Sequence, residues 1–131
     1  MTNGRWRFRG LPLGAAIFLA GGCATLPPVP APLTAKANSR VEIRSVYAHA
    51  AKDDVTVGGF ARRRGFGFLP GGSHLHVTAF RKDGTKPVEG DAFWHPPVHH
   101  RTLISSYQAR LHGITSEEIA RIEVEFREIR D

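Results

Sequence analysis

Histidine is the residue type in this sequence with the clearest potential for ligand chemistry, and there are seven histidines. His74 and His76 stand two residues apart in a stretch that alternates apolar and polar residues, so a strand would place both rings on one face. Imidazole nitrogens bind Zn²⁺, Cu²⁺ and Ni²⁺. A proline-containing stretch with Trp94 and further histidines follows, and we expect a loop there that could fold over the same face. The candidate metal ligands are therefore His74, His76, His95, His99 and His100, with Asp91 as a further donor.

These histidines have other interpretations. No spacing in the sequence matches a compact zinc motif such as Cys-x2-Cys or His-Glu-x2-His. Met1 is the only methionine, and it would be lost with the N-terminal export signal described below. A thioether-rich Cu(I) site is therefore excluded from the processed chain. Histidine is common on half-exposed strands, and a histidine-rich surface can also respond to acidification. We expect no obligatory cofactor, with zinc or copper as the candidates if the histidines bind a metal.

A second candidate surface combines arginines with aromatic residues. Arg62, Arg63 and Arg64 precede Phe66 and Phe68, and basic residues beside aromatic ones can bind polyanions. The alternative is a solvated hairpin end whose phenylalanines pack on the core. The residues of this candidate binding surface are Arg62, Arg63, Arg64 and Trp94, and its expected partner is an envelope protein or an anionic lipid.

The sequence does not support catalysis. Glu123 and Glu125 share one face of the last apolar segment, but that face is typical of the solvent side of a strand. The serines considered as nucleophiles are Ser73, Ser105 and Ser106, and none has a nucleophile-elbow context. We therefore expect a protein that is not an enzyme.

The N-terminal segment has the features of an export signal. Residues 1–10 contain three arginines and no acidic residue, and an apolar run of about ten residues follows. This run is shorter than the roughly 20 residues that cross a bilayer. Three small residues at 20–22 directly precede Cys23, which is the only cysteine. An unpaired thiol in an exported protein requires an explanation.

The small residues and the cysteine resemble the lipobox of bacterial lipoproteins, although Ala20 stands where that family favours leucine. The resemblance implies that residues 1–22 are removed as a signal peptide and that the Cys23 sulfur carries a diacylglycerol. Ala24, rather than an aspartate, implies by the same resemblance an outer-membrane protein facing the periplasm. The predicted partner is then a membrane, through the lipid anchor. The alternative is a plain secreted or membrane-tethered protein with a free thiol.

Removal of the signal changes the charge. The whole chain has 18 Lys+Arg and 12 Asp+Glu, a net charge of +6. Loss of Arg5, Arg7 and Arg9 leaves 15 basic residues against 12 acidic ones, a net charge of +3. The mature chain is only mildly basic, so we expect no nucleic-acid partner.

Four prolines between residues 27 and 32 predict a semi-stiff spacer. We therefore expect residues 23–39 to form a lipidated, proline-rich linker that holds the domain away from the membrane. A proline-rich ligand for a partner protein is the alternative.

Residues 40–131 predict one small, mainly β domain. Apolar residues recur with period two at Leu75, Val77 and Ala79, with the histidines on the other face. Gly58 and Gly59 suggest a bulge in an earlier strand. Several such stretches separated by Gly/Pro turns favour an antiparallel β-sandwich.

The last segment fits both helical and strand spacing. Thr115 and Glu118 fit a capping box, and the β-branched residues that follow favour a strand. We expect a short helical turn over residues 116–119 and then a strand.

The order of these segments resembles small immunoglobulin-like or fibronectin-like domains of periplasmic lipoproteins. The resemblance implies a non-enzymatic outer-membrane lipoprotein that serves binding or envelope structure. A periplasmic, histidine-based metal-binding protein is the alternative function.

Overall fold

The computed structural model describes residues 26–65, 69–95 and 104–128. The predicted signal peptide at 1–22 and the predicted lipid attachment at Cys23 lie outside the described residues, as do Phe66, Phe68, His99 and His100. Within the described ranges, no helix is long and apolar enough to cross a membrane.

Strands make up most of the described chain. They are β1 (Leu33–Ala35), β2 (Val41–Ala50), β3 (Asp54–Arg63), β4 (His74–Arg81), β5 (Val88–His95), β6 (Ser105–His112) and β7 (Ile119–Arg127). One 3₁₀ turn, Ser116–Glu118, precedes β7.

The strands form one sheet in the order β1-β7-β4-β5-β6-β3-β2. All neighbouring pairs are antiparallel except β1 and β7, which are parallel. β5 pairs with β4 through its first part and with β6 through its last part, so the sheet turns at β5. The sheet nearly closes into a barrel-like sandwich, which confirms the prediction of a mainly β, antiparallel domain.

Residues 27–36 close the sheet on itself. The Pro27 carbonyl and the Val29 amide bond to β2 at 2.9 and 3.0 Å, and the Val29 side chain is buried. The chain then crosses to β7, where Leu33 lies opposite Ile122. One short segment therefore bonds both to β2, at one end of the sheet, and to β7, near the other end.

This segment corrects the predicted linker at 23–39, because Pro28 forms a bridge to β2 and Leu33–Ala35 form a strand of the sheet. Alternate residues of an edge strand bond to one neighbour, so prolines fit where an N–H is not needed. Pro27 and Pro32 serve only as acceptors here, to the Ala50 and Ile122 amides. The domain therefore begins earlier than the predicted boundary at residue 40.

The core lies between the inward faces of the strands. In β6, buried and exposed residues alternate without exception. The largest side chains with under 2 % exposure are Tyr107, Leu75, Leu111, Ile114, Ile119 and Ile122. The alternation that the sequence predicts for β4 and β6 is thus the pattern that fills the core.

A bulge in β2 sits against the glycine pair of β3. The register shifts between Ile43 and Ser45, and the Ser45 carbonyl turns toward Gly59. A Cβ on Gly59 would lie only 1.9 Å from the Ser45 oxygen. The buried Tyr107 hydroxyl donates to that same oxygen at 2.7 Å. The bulge occurs opposite the predicted glycines, in the partner strand.

The predicted short helical turn followed by a strand near the C-terminus is confirmed. Glu118 closes a capping box on Thr115, whose backbone N–H donates to the Glu118 carboxylate at 2.8 Å. β7 follows directly, with Ile122 and Val124 facing inward.

Candidate metal centre

The histidine face is the outer side of β4. Leu75 and Val77 point into the core, so His74 and His76 point outward. β4 has β5 on one side and β7 on the other, and these neighbours cover its outward residues. His76 is only 7 % exposed although it faces away from the core. The predicted common face of the two histidines is confirmed.

Asp91 of β5 completes a cluster with the two rings. His76 lies opposite Asp91 in the β4–β5 register. The Asp91 Oδ1 atom is 2.7 Å from His76 Nδ1 and 3.3 Å from His74 Nε2. One donor atom from each of the three residues lies within 4.8 Å of the other two. One carboxylate oxygen therefore faces one nitrogen of each ring.

The contact at Nδ1 leaves Nε2 as the nitrogen that His74 can offer to a ligand. His74 Nδ1 lies 3.0 Å from the Gly72 carbonyl, which can only accept, so Nδ1 carries the hydrogen. In the neutral ring Nε2 then has a lone pair, and that lone pair faces the Asp91 carboxylate. Two acceptors at 3.3 Å repel each other unless a cation lies between them. A metal ion or a second ring proton would remove the repulsion.

His76 also has a ring nitrogen, Nε2, whose lone pair faces a carboxylate. Its Nδ1 donates to Asp91, so Nε2 of the neutral ring has a lone pair. Nε2 is buried without a hydrogen-bond partner, and the Glu89 carboxylate faces it at 3.5 Å. An unpaired buried polar atom costs roughly 1–3 kcal/mol.

The two sides of β4 differ in charge compensation. On the β7 side, Glu125 pairs with Lys36 at 3.2 Å and Arg127 at 2.5 Å. Burial opposes the ionisation of Glu125, but these two cations outweigh it and lower its pKa. On the β5 side, and within the described part of the chain, Glu89 and Asp91 form ion pairs only with the histidines. Neither carboxylate on the β5 side thus has a lysine or arginine in an ion pair among the described residues, although the more distant Arg127 also lowers the pKa of Asp91.

Asp91 is held in its charged form. The hydrogen bond from His76 lowers the pKa of Asp91 below its ordinary value, against the opposing effect of burial. An ionised carboxylate and two imidazoles form a donor set that suits borderline metals such as zinc, copper and nickel.

The spacing also suits such an ion. In a tetrahedral zinc site with bonds of about 2.0–2.1 Å, neighbouring ligand atoms lie about 3.3–3.4 Å apart. The distance from His74 Nε2 to Asp91 already has that value, at 3.3 Å. The distance from His76 to Asp91, 2.7 Å, would have to open by about 0.6 Å. Side-chain rotation of the half-exposed Asp91 can supply this change.

Two other predicted residues differ from their expected positions. His95 is the exposed last residue of β5 and does not join the cluster. Trp94 was expected in a loop, but it lies in β5, 8 % exposed, and stacks on Phe126 at 6.1 Å. Trp94 is therefore a core residue and does not belong to the candidate binding surface.

The positive charge of the candidate binding surface around Arg62, Arg63 and Arg64 is partly compensated by an acidic residue. Arg62 forms an ion pair with Glu42 across β2 and β3. The exposed Arg64 bonds to the Arg40 carbonyl through its backbone amide, while Arg63 is half-buried. Phe66 and Phe68, on which the polyanion hypothesis depends, lie outside the described residues. This hypothesis stays a prediction.

Glu89 is the site residue that sequence reasoning missed. Glu89 and Asp91 alternate with inward residues of β5, so both share the face of His76. That alternation is visible in the sequence, but it predicts a contact only if the β4–β5 register is known. The outward face of Glu123 and Glu125 was expected, but both are half-buried beside the β4 residues.

Comparisons with protein-family models, with curated proteins and with solved structures found no match. What the cluster can bind must be inferred from its own geometry and charge.

Proposed function

We propose that this chain is a lipid-anchored envelope protein whose β domain binds a divalent transition-metal ion at His74, His76 and Asp91. The observation that carries the metal proposal is the 3.3 Å contact of His74 Nε2 with Asp91, which sets two acceptors face to face when the ring is neutral. A divalent ion would turn this repulsion into two coordinate bonds. It would also balance the charges of Asp91 and Glu89.

The proposed anchor is a diacylglycerol on Cys23, in the outer membrane and facing the periplasm. The apolar run and the small residues before Cys23 support it. Each buried methylene group contributes about 0.8 kcal/mol, so several acyl chains hold firmly where one would not. Only residues 24–26 separate Cys23 from the sheet, a reach of about 14 Å at most. An anchor at Cys23 would thus keep the binding domain close to the lipid surface.

The proposed role is binding rather than catalysis. The Ser73 hydroxyl donates to the Pro70 carbonyl at 2.6 Å. The Ser106 hydroxyl donates to the His95 carbonyl at 2.9 Å, and Ser105 is buried. In the described ranges none of these three serines contacts a histidine nitrogen, so no described histidine is placed to activate their hydroxyls. These contacts support a protein that is not a hydrolase.

Calorimetric titration with Zn²⁺, Cu²⁺ and Ni²⁺ tests the metal proposal. The full chain should carry Cys23→Ser, which removes the only thiol and a metal ligand in its own right. We expect one ion per chain with a Kd below about 1 μM. His76→Ala should weaken binding by more than about 100-fold, because it removes one of three ligands.

His112→Ala is the matched control. His112 also contacts a carboxylate across two strands, with its Nδ1 2.9 Å from Asp54. Arg110 lies 3.9 Å from the same carboxylate, and no second histidine of the described residues joins the pair. His112→Ala should leave metal affinity unchanged.

Two results would overturn the metal proposal. One is binding that is no tighter than about 1 mM, or that His76→Ala leaves intact. The other is a His74 ring that carries protons on both nitrogens at neutral pH and stays so in excess Zn²⁺. That second result would favour the pH-responsive surface instead.

A further inference from the structure

We infer that Glu89 is a positioning residue that selects the metal-binding form of His76, an inference that rests on the proposed metal site. In this form His76 binds the ion through Nδ1 and donates a hydrogen bond from Nε2 to Glu89. A carboxylate that accepts from the second nitrogen of a ligating histidine fixes its tautomer and raises its basicity.

The assignment of Nδ1 as the ligand atom follows from shared contacts. Asp91 Oδ1 faces His76 Nδ1 and His74 Nε2 at 2.7 and 3.3 Å, so an ion at this point meets three ligands. Among the described residues Glu89 forms an ion pair only with His76, and it is not a member of the three-residue group within 4.8 Å. An ion at His76 Nε2 would therefore meet fewer ligands. Nδ1 is the favoured donor, and Nε2 is left for Glu89.

The change at His76 conserves protons and charge. The neutral ring has one N–H, and its place is Nδ1, because the Asp91 carboxylate 2.7 Å away can only accept. When Nδ1 binds the ion, the Nδ1–H bond breaks and that proton passes to water, while Nε2 takes up one proton from water by way of the half-exposed Glu89 carboxylate. The ring stays neutral, and no oxidant, reductant or other reactant is needed.

Burial makes Glu89 the natural acceptor for the new N–H. His76 Nε2 is buried without a hydrogen-bond partner, so water is not available to satisfy it. The Glu89 carboxylate stands 3.5 Å away and forms ion pairs with no lysine or arginine of the described residues. A small movement of this half-exposed side chain would bring it into hydrogen-bond distance.

Nitrogen-15 NMR of histidine-labelled full chain, with Cys23→Ser and with or without Zn²⁺, reads the tautomer directly. Without zinc we expect the His76 hydrogen on Nδ1, and with one equivalent of Zn²⁺ we expect it on Nε2. A His76 ring that keeps its Nδ1–H while Zn²⁺ is bound would overturn the Glu89 inference and leave metal binding intact. A chain that binds no Zn²⁺ would overturn both.

A pair of variants separates positioning from general charge. Glu89→Gln should weaken Zn²⁺ binding by about 10–100-fold and reduce the Nε2–H form of His76. Glu123→Gln is the matched control, since Glu89 and Glu123 lie opposite the same residue, Thr78, from its two neighbouring strands. Glu123 pairs with Arg121 at 3.3 Å and with Lys36 at 3.7 Å. Glu123→Gln should therefore change the affinity less than about threefold.

An equal loss of Zn²⁺ affinity in Glu89→Gln and Glu123→Gln would mean that the effect comes from net charge, and the inference would be wrong. An unchanged Glu89→Gln affinity would also overturn it. Both side chains face outward, so circular dichroism should show the same β spectrum for the parent chain and both variants.

Discussion

The β2 bulge depends on the absence of a side chain at residue 59, and Gly59→Ala tests this. A Cβ there would lie 1.9 Å from the Ser45 carbonyl oxygen, about 1.5 Å short of the ordinary contact distance of 3.4 Å. The obstacle is backbone, so β2 itself must move. That movement would also disrupt the 2.7 Å hydrogen bond from Tyr107 to Ser45. Overpacking costs about 1–3 kcal/mol and the lost hydrogen bond about 1 kcal/mol.

We therefore expect Gly59→Ala to lower the free energy of unfolding by about 2–4 kcal/mol. Gly71→Ala is the control, because a Cβ on Gly71 meets nothing within 4 Å and should change stability by less than about 0.5 kcal/mol. Urea unfolding followed by the fluorescence of the buried Trp94 measures both. A loss below about 1 kcal/mol for Gly59→Ala, or equal losses in the two variants, would refute the bulge geometry.

Three further outcomes are expected. Burial raises the pKa of Tyr107, so stability is complete below its ordinary value of 10.0 and falls above it by about 1.4 kcal/mol per pH unit. Tyr107→Phe should lack this alkaline loss in urea titrations from pH 8 to 11, at a cost of about 1–3 kcal/mol at neutral pH, whereas Tyr47→Phe should retain it. Trp94→Ala should cost about 3–5 kcal/mol and leave Zn²⁺ affinity unchanged in calorimetry, and retained stability would contradict its core position. Cys23→Ser should abolish acyl labelling and leave a heavier precursor in cells, and normal processing would argue against the lipid anchor.

Side-chain alternation predicted the half of the fold that depends on local pattern. In β4 every second residue is apolar and faces inward, so the common face of His74 and His76 could be predicted from spacing alone. The 3₁₀ turn and strand at the C-terminus were predictable for the same reason, since Thr115 and Glu118 form a local cap.

Features that depend on distant pairing could not be predicted. The contact of His76 with Asp91 is fixed by the register of the β4–β5 hairpin, and a one-residue shift would turn Asp91 to the other face. The prolines between residues 27 and 32 suggested a spacer by their composition alone. Their segment belongs to two sheet edges instead, and those places are set by partners far away in the chain. Trp94 precedes two prolines, which favoured a loop, but burial against Phe126 keeps it in β5.

The parallel pairing of β1 with β7 has a consequence for the order of folding. Leu33–Ala35 of β1 pairs with Ile122–Val124, so the first of the described strands waits for the last of them. Contacts of such long sequence separation form slowly, because the whole intervening chain must first be ordered. A growing chain would meanwhile expose the unpaired edge of β4, which can pair with other molecules. The domain can therefore close only after its final strand has become available, and chains that end before Ile119 should aggregate rather than fold.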